Sequence, residues 1–159
     1  MTNSVIDRFD RALLEQVQRN NLTPARVLAE RVGLSESAVL RRLRRLRAEG
    51  IIAADVSIVR PEVLGRPLTV VVLVKLAREG RTQIERFIAA IGQRPEVVNI
   101  WYVTGEADFV LVAQVPDMSA YEEFTQDILL ADANVESFTT MVAMRDYTPA
   151  THASLMRKA

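Results

Sequence analysis

The stretches Leu68–Ala77 and Asp108–Val115 are apolar at nearly every position rather than at every second one, and any fold for this chain must accommodate that. A β-strand pleat sends successive side chains to opposite faces, so a sheet wetted on one face alternates apolar with polar residues. Here Val70, Val72, Val74 and Leu76 fall on one side of the first stretch, and Val71 and Leu73 on the other. In the second, Phe109, Leu111, Ala113 and Val115 oppose Val110 and Val112. Both faces need cover. One is expected to lie under the chain's own helices and the other against a second copy of the chain, which predicts a homodimer.

The surrounding pattern reads β-α-β twice. Strands are predicted over 68–77, 97–103, 108–115 and 135–144. The helices between them cover about 81–93, with Ile84, Phe87, Ile88 and Ile91 inward, and 119–130, with Tyr121, Phe124, Thr125 and Ile128 inward. Capping boxes Thr82/Glu85 and Ser119/Glu122 are expected to open them. Two such units interleave most simply into a four-stranded antiparallel sheet with both helices on one face, the ferredoxin-like βαββαβ arrangement of an α+β protein. Trp101 and Tyr102, on the second strand, are expected in the core or the dimer interface.

The first fifty residues differ in character. They carry ten arginines, no lysine and six acids, whereas the remainder carries ten basic and fourteen acidic residues. The formal net charge of zero thus hides a basic module on an acidic one. Three helices are predicted, over about 7–19, 23–32 and 35–49. Asp7 and Asp10 sit in the first turn of the first helix, where the dipole favours acids. Thr23 caps the second helix and Pro24 occupies its first position. Ser35 caps the third, and Gly50 stops it. Ala29, Gly33 and Val39 have the spacing of a helix-turn-helix. The small residue lets the helices cross closely, glycine takes the left-handed turn conformation, and the branched residue plugs the core. Leu28, Val32, Leu34, Leu43 and Leu46 complete that core.

At about 100° per residue, Val39, Leu43 and Leu46 fall on one side of the third helix. Ser37, Arg41, Arg44 and, at the edge, Arg45 fall on the other, with no acid between them. A helix entering the DNA major groove needs such guanidinium forks for guanine edges and phosphates. The expected DNA-contact set is Ser35, Ser37, Ala38, Arg41, Arg42, Arg44 and Arg45. Ser37, Ala38 and Arg41 are expected at base edges, and Arg44 and Arg45 at phosphate. Two such helices in a dimer would read a pseudo-palindrome in double-stranded DNA. The resulting division is a winged-helix-like helix-turn-helix domain over 1–52, a linking strand and linker over 53–67, and a ferredoxin-like assembly domain over 68–159.

The remaining composition narrows the function classes. With no cysteine there is no disulfide, thiolate metal site or thiol nucleophile. The single histidine, His152, leaves no His-based triad or cluster. The longest strictly apolar run, Val70–Val74, is far too short for a membrane span. The first ten residues have neither a basic start nor an apolar stretch, so no signal peptide is expected and the predicted location is cytoplasmic, on the nucleoid. No metal or cofactor is expected.

In ordered combination, the motifs resemble one family. They are Asp7-x-x-Asp10, Leu28-Ala29-x-x-Val32-Gly33-Leu34-Ser35, Val39-x-x-Arg42-Leu43-x-x-Leu46, Gly50-Ile51-Ile52, Val103-Thr104-Gly105-Glu106-Ala107-Asp108 and Val115-Pro116-Asp117-Met118-Ser119-Ala120-Tyr121. Nearly the whole chain is similar to the Lrp/AsnC family, the leucine- and asparagine-responsive (feast/famine) transcriptional regulators. The resemblance implies dimers that assemble further, often into octamers, with an amino-acid effector bound between dimers. It also implies an effector pocket at Thr104, Gly105, Glu106 and Asp108, with Thr140 near the same interface. Turn backbone groups there suit a carboxylate, and a nearby acid suits an ammonium. Three departures stand out. Gly105-Glu106 replaces the usual Gly-Asp, Asp132-Ala133-Asn134-Val135 replaces Leu-Pro-Gly-Val, and Leu22 stands where many relatives have arginine. Two other functions fit the same pattern less well: an effector-independent architectural protein that wraps DNA, and an enzyme like the siroheme decarboxylases, which resemble this family.

Overall fold

The computed structural model describes residues 6–57 and 59–145, which form two compact units dividing at residue 58. That point falls inside the segment expected to link the domains. His152 lies outside the described residues.

The first unit is three helices: α1 (Arg8–Arg19), α2 (Ala25–Val32) and α3 (Glu36–Ala48). Asp7 caps α1, accepting from the Asp10 backbone N–H while the Asp10 side chain returns the bond, so the two acids make a capping box. Gly33 ends α2 with φ +73°, and Ser35 caps α3 by accepting from the Ala38 N–H. Gly50, at φ +71°, follows the end of α3. Leu13, Leu28, Ala29, Val39, Leu43 and Leu46 form the buried core, with Val32 and Leu34 against it. Thr23 does not cap α2. Its hydroxyl donates back to the Asn20 carbonyl, and Pro24 takes the cap position without a side-chain bond. Residues 53–57 form no strand, in contrast to expectation. A lone extended segment has no neighbour to satisfy its ladder of backbone groups.

The second unit holds β1 (Leu68–Leu76), α4 (Arg81–Gly92), β2 (Val97–Tyr102), β3 (Phe109–Val115), α5 (Met118–Phe124) and β4 (Val135–Val142), preceded by a 3-10 turn, Pro61–Leu64. The sheet order is β2-β3-β1-β4, antiparallel throughout, which is the expected ferredoxin-like α+β topology. Val70 pairs with Ala113 and Val142, and Val74 with Phe109 and Phe138, so β1 is the central strand. One face packs Val70, Val72, Val74, Leu76, Phe109, Leu111, Ala113 and Val115 against Phe87, Ile91, Tyr121, Phe124 and Leu129. The other carries Val71, Leu73, Val110 and Val112, all partly exposed, with Trp101 and Met141 each about half exposed. Tyr102 is on the helix-covered side of β2, its ring 5.1 Å from that of Phe109.

Three local details differ from expectation. Gly80, not Thr82, precedes α4, and Ile88 lies on its exposed flank. α5 is capped by Asp117, whose carboxylate accepts from the Ala120 N–H at 2.9 Å, rather than by Ser119. An Asp one residue outside the first turn competes well for those free N–H groups. After Phe124 the chain widens into a π-helical turn, Thr125–Leu130. That longer repeat brings Leu129 fully into the core and leaves Ile128 only partly buried. The turn before β4 is held by Asp132, which accepts from the Asn134 and Val135 N–H groups.

Truncating Phe87 to Ala should cost about 3–5 kcal/mol in urea denaturation, the usual loss for a fully buried aromatic side chain. Ile88→Ala, one position along the same helix, should cost about 1 kcal/mol or less.

Candidate nucleic-acid interface and ligand loop

Five arginines stand on α3, and the structure sorts them. Arg42 and Arg45, three residues apart on one stripe, turn toward α1. Arg42 donates to Asp7 at 2.8 Å and to Asp10 at 2.9 Å, and its guanidinium lies 5.6 Å from the Phe9 ring centre. Arg45 donates to the other oxygen of Asp10 at 2.5 Å. The Asp10 side chain is 1% exposed and accepts from three donors: Arg42, Arg45 and the Asp7 backbone N–H. A carboxylate removed from water stays charged only when compensated in this way. Arg47 makes a bidentate pair with Asp55, with contacts of 2.6 and 3.2 Å. Arg41 and Arg44 have no ion-pair partner among the described residues, and both are exposed, as is Ser37.

The expected DNA-contact set is therefore redrawn. Ser37, Arg41 and Arg44 stand on the outward face. Ser35 is spent as the cap of α3, and Ala38 beside it is half-buried. Arg42 and Arg45, also in the expected set, are paired with Asp7 and Asp10. The pairing was missed because Asp7 and Asp10 were read only as helix-start acids. Two acids three apart on one helix and two arginines three apart on another were the available signal. Asp55 gave no comparable sign.

The candidate ligand loop is in the second unit. Thr104, Gly105 and Glu106 are exposed in the β2–β3 hairpin, and Gly105 has φ +134°, a conformation that disfavours any side chain. Asp108 is already engaged: its carboxylate accepts from the Leu76 N–H at 2.7 Å, and its own N–H donates to the Val74 carbonyl. Thr140, on edge strand β4 opposite Val72, hydrogen-bonds the Tyr121 hydroxyl. Burial pushes the Tyr121 pKa up. Within one chain the sheet order separates Thr140 from the hairpin, since β1 stands between β3 and β4. A groove of about 440 Å³ in the first unit is lined by Leu14, Val17, Ile51, Ile52 and Val56 among others, and by none of the expected site residues.

Residues 6–53 match the model of a winged helix-turn-helix DNA-binding domain, and residues 69–152 that of the Lrp/AsnC ligand-binding domain. The chain belongs to the Lrp/AsnC family of transcriptional regulators. It is 47% identical to an uncharacterized HTH-type transcriptional regulator of Sinorhizobium fredii, over 93% of this chain and 87% of that one. It is 34% identical to the leucine-responsive regulatory protein of Salmonella typhimurium, over 89% of this chain and 86% of that one. Among solved structures, a transcriptional regulator of Neisseria meningitidis in complex with L-Met superposes with a TM-score of 0.84 at 30% identity, covering 93% of this chain and 96% of the other. For this Lrp/AsnC chain, no helix of the described residues is long and apolar enough to cross a membrane.

The acid pairs make the first unit sensitive to pH. The Asp10 backbone N–H and, after it, the Arg42 guanidinium hold the Asp7 carboxyl below the ordinary aspartate range. Arg47 does the same for Asp55. A carboxyl whose folded pKa is depressed stabilises the fold above its unfolded value, about 3.9, and loses that contribution as pH falls through the folded pKa. Urea denaturation should show the first unit weakening as pH drops below about 4. Asp7→Asn keeps a good cap and should flatten this acid limb.

Proposed function

We propose that this Lrp/AsnC regulator binds a pseudo-palindromic operator in double-stranded DNA as a homodimer, and that an amino acid bound between subunits modulates it. The observation that carries the proposal is the outward stripe of α3. Arg41 and Arg44 stand exposed and unpaired among the described residues, on the helix that follows the Gly33 turn. Arg41 contacts base edges with Ser37 and Ala38 beside it, and Arg44 contacts phosphate.

The open apolar face of the sheet in the second unit supports the dimer. Half-exposed Trp101 and Met141 border the partly exposed Val71, Leu73, Val110 and Val112, and a second copy would cover them. Further assembly, to an octamer, follows the family pattern. The L-Met complex of the Neisseria meningitidis regulator supports an amino-acid effector here. Thr104, Gly105, Glu106 and Asp108 supply the ligand loop, and Thr140 of a neighbouring subunit completes it. The protein acts in the cytoplasm, on the nucleoid, by binding rather than catalysis. Its relatives' naming as transcriptional regulators supports that reading over an enzyme.

Fluorescence anisotropy with a duplex selected from a random pool by the wild-type chain tests both halves. Arg41→Ala should weaken specific binding about 5- to 150-fold, the range for loss of one bidentate base contact. Gly105→Trp fills the loop and should leave DNA affinity largely intact while abolishing the response to an amino-acid panel. Response surviving Gly105→Trp would remove the ligand-loop assignment.

A further inference from the structure

We infer that Asp10 is a positioning residue for DNA recognition. It anchors Arg42 and Arg45 to α1, fixes the roll of α3, and withholds both arginines from phosphate so that Arg41 and Arg44 alone address the duplex. The inference rests on the DNA-binding reading above and deepens it.

Three observations combine. First, the Asp10 side chain is 1% exposed and both of its oxygens are occupied by guanidinium groups of α3. A buried carboxylate with two cationic partners on one neighbouring helix permits little rotation of that helix, because any roll leaves charge uncompensated. Second, the two arginines that it holds and the two that remain exposed form adjacent stripes, Arg42/Arg45 and Arg41/Arg44, about 100° apart around α3. Fixing one stripe against α1 thereby aims the other at solvent. Third, Arg47 is paired with Asp55, so of the five guanidinium groups on the helix only two are uncommitted among the described residues. A helix rich in arginine but unconstrained would bind any duplex by charge alone. Committing three of the five lowers that sequence-independent attraction and leaves discrimination to Ser37 and Arg41.

The distinguishing quantity is the salt dependence of binding. Each phosphate neutralised contributes about 0.9 to the slope of log affinity against log salt. With the full-length chain and fluorescein-labelled duplexes, both selected and scrambled, Arg44→Ala should lower the slope by about 0.9 per engaged protomer, whereas Arg41→Ala should reduce selected-over-scrambled discrimination. Arg42→Gln should leave the slope unchanged, yet lower the melting temperature and reduce selected-over-scrambled discrimination by roughly tenfold. Asp10→Asn, which preserves shape but not charge, should steepen the slope by releasing Arg42 and Arg45, and should lose discrimination at the same time. A merely structural Asp10 would not steepen it. If Asp10→Asn fails to fold, Arg42→Gln and Arg45→Gln decide the matter alone. The inference is overturned if Arg42→Gln lowers the slope as Arg44→Ala does, or if folded Asp10→Asn keeps the wild-type slope and discrimination. If Arg44→Ala leaves the slope unchanged and Arg41→Ala leaves discrimination unchanged, α3 is not the DNA-facing helix and the underlying reading fails first.

Discussion

The second unit depends on the central position of β1. Its backbone pairs with β3 on one side and β4 on the other, so a single strand sets the register of most of the sheet. Because the pleat alternates, that register also decides which residues face the helices. Val70, Val72 and Val74 enter the core, and Val71 and Leu73 are assigned to the open face. A slip by one residue would exchange the two sets. Both sets are valine and leucine, so hydrophobicity alone distinguishes them poorly. The distinction comes from their surroundings: Phe87, Ile91, Phe124 and Leu129 fill one side, and no part of the chain's own sheet unit fills the other. Asp108 adds a polar check at the strand end, where its carboxylate accepts from the Leu76 N–H.

The first unit uses a polar constraint instead. Its core is small, six buried residues in three short helices. Apolar packing of that size tolerates rotation of one helix against another more readily than a paired buried charge does. The Asp7–Asp10 capping box starts α1 and, through the same two carboxylates, anchors α3. Local helix initiation and tertiary orientation are thus performed by the same two side chains.

Much of this was legible in the sequence, because the responsible forces are local. The left-handed turn at Gly33, the Ser35 cap, the αL residue Gly50 and the continuous apolar runs of β1 and β3 all follow from the properties of single residues or short stretches. The failures share a different origin. Choosing Asp117 over Ser119 as a cap is a competition between neighbours two residues apart. The π-helical turn at Thr125–Leu130 changes the helical period part-way along, so the constant repeat that placed Ile128 inward had to give way to Leu129. The partition of the arginines needed two helices distant in sequence to be placed side by side, which no periodicity within α3 reveals. The ligand loop was legible as a glycine at a hairpin. The engagement of Asp108 with β1 and of Thr140 with Tyr121 was not, since the first depends on strand pairing and the second on the packing of α5 against β4.

Sharing one carboxylate between Arg42 and Arg45 also shapes how this interface can change over generations. Effects at such a shared site do not add. Loss of either arginine makes the remaining pair carry all the compensation for a buried charge, and loss of both turns the acid itself into a liability. The three residues therefore constitute one heritable unit. On the proposed DNA-binding reading, substitutions of Arg41 can retune which sequence is bound one change at a time, whereas replacement of the Asp10 triad requires several coordinated changes or none.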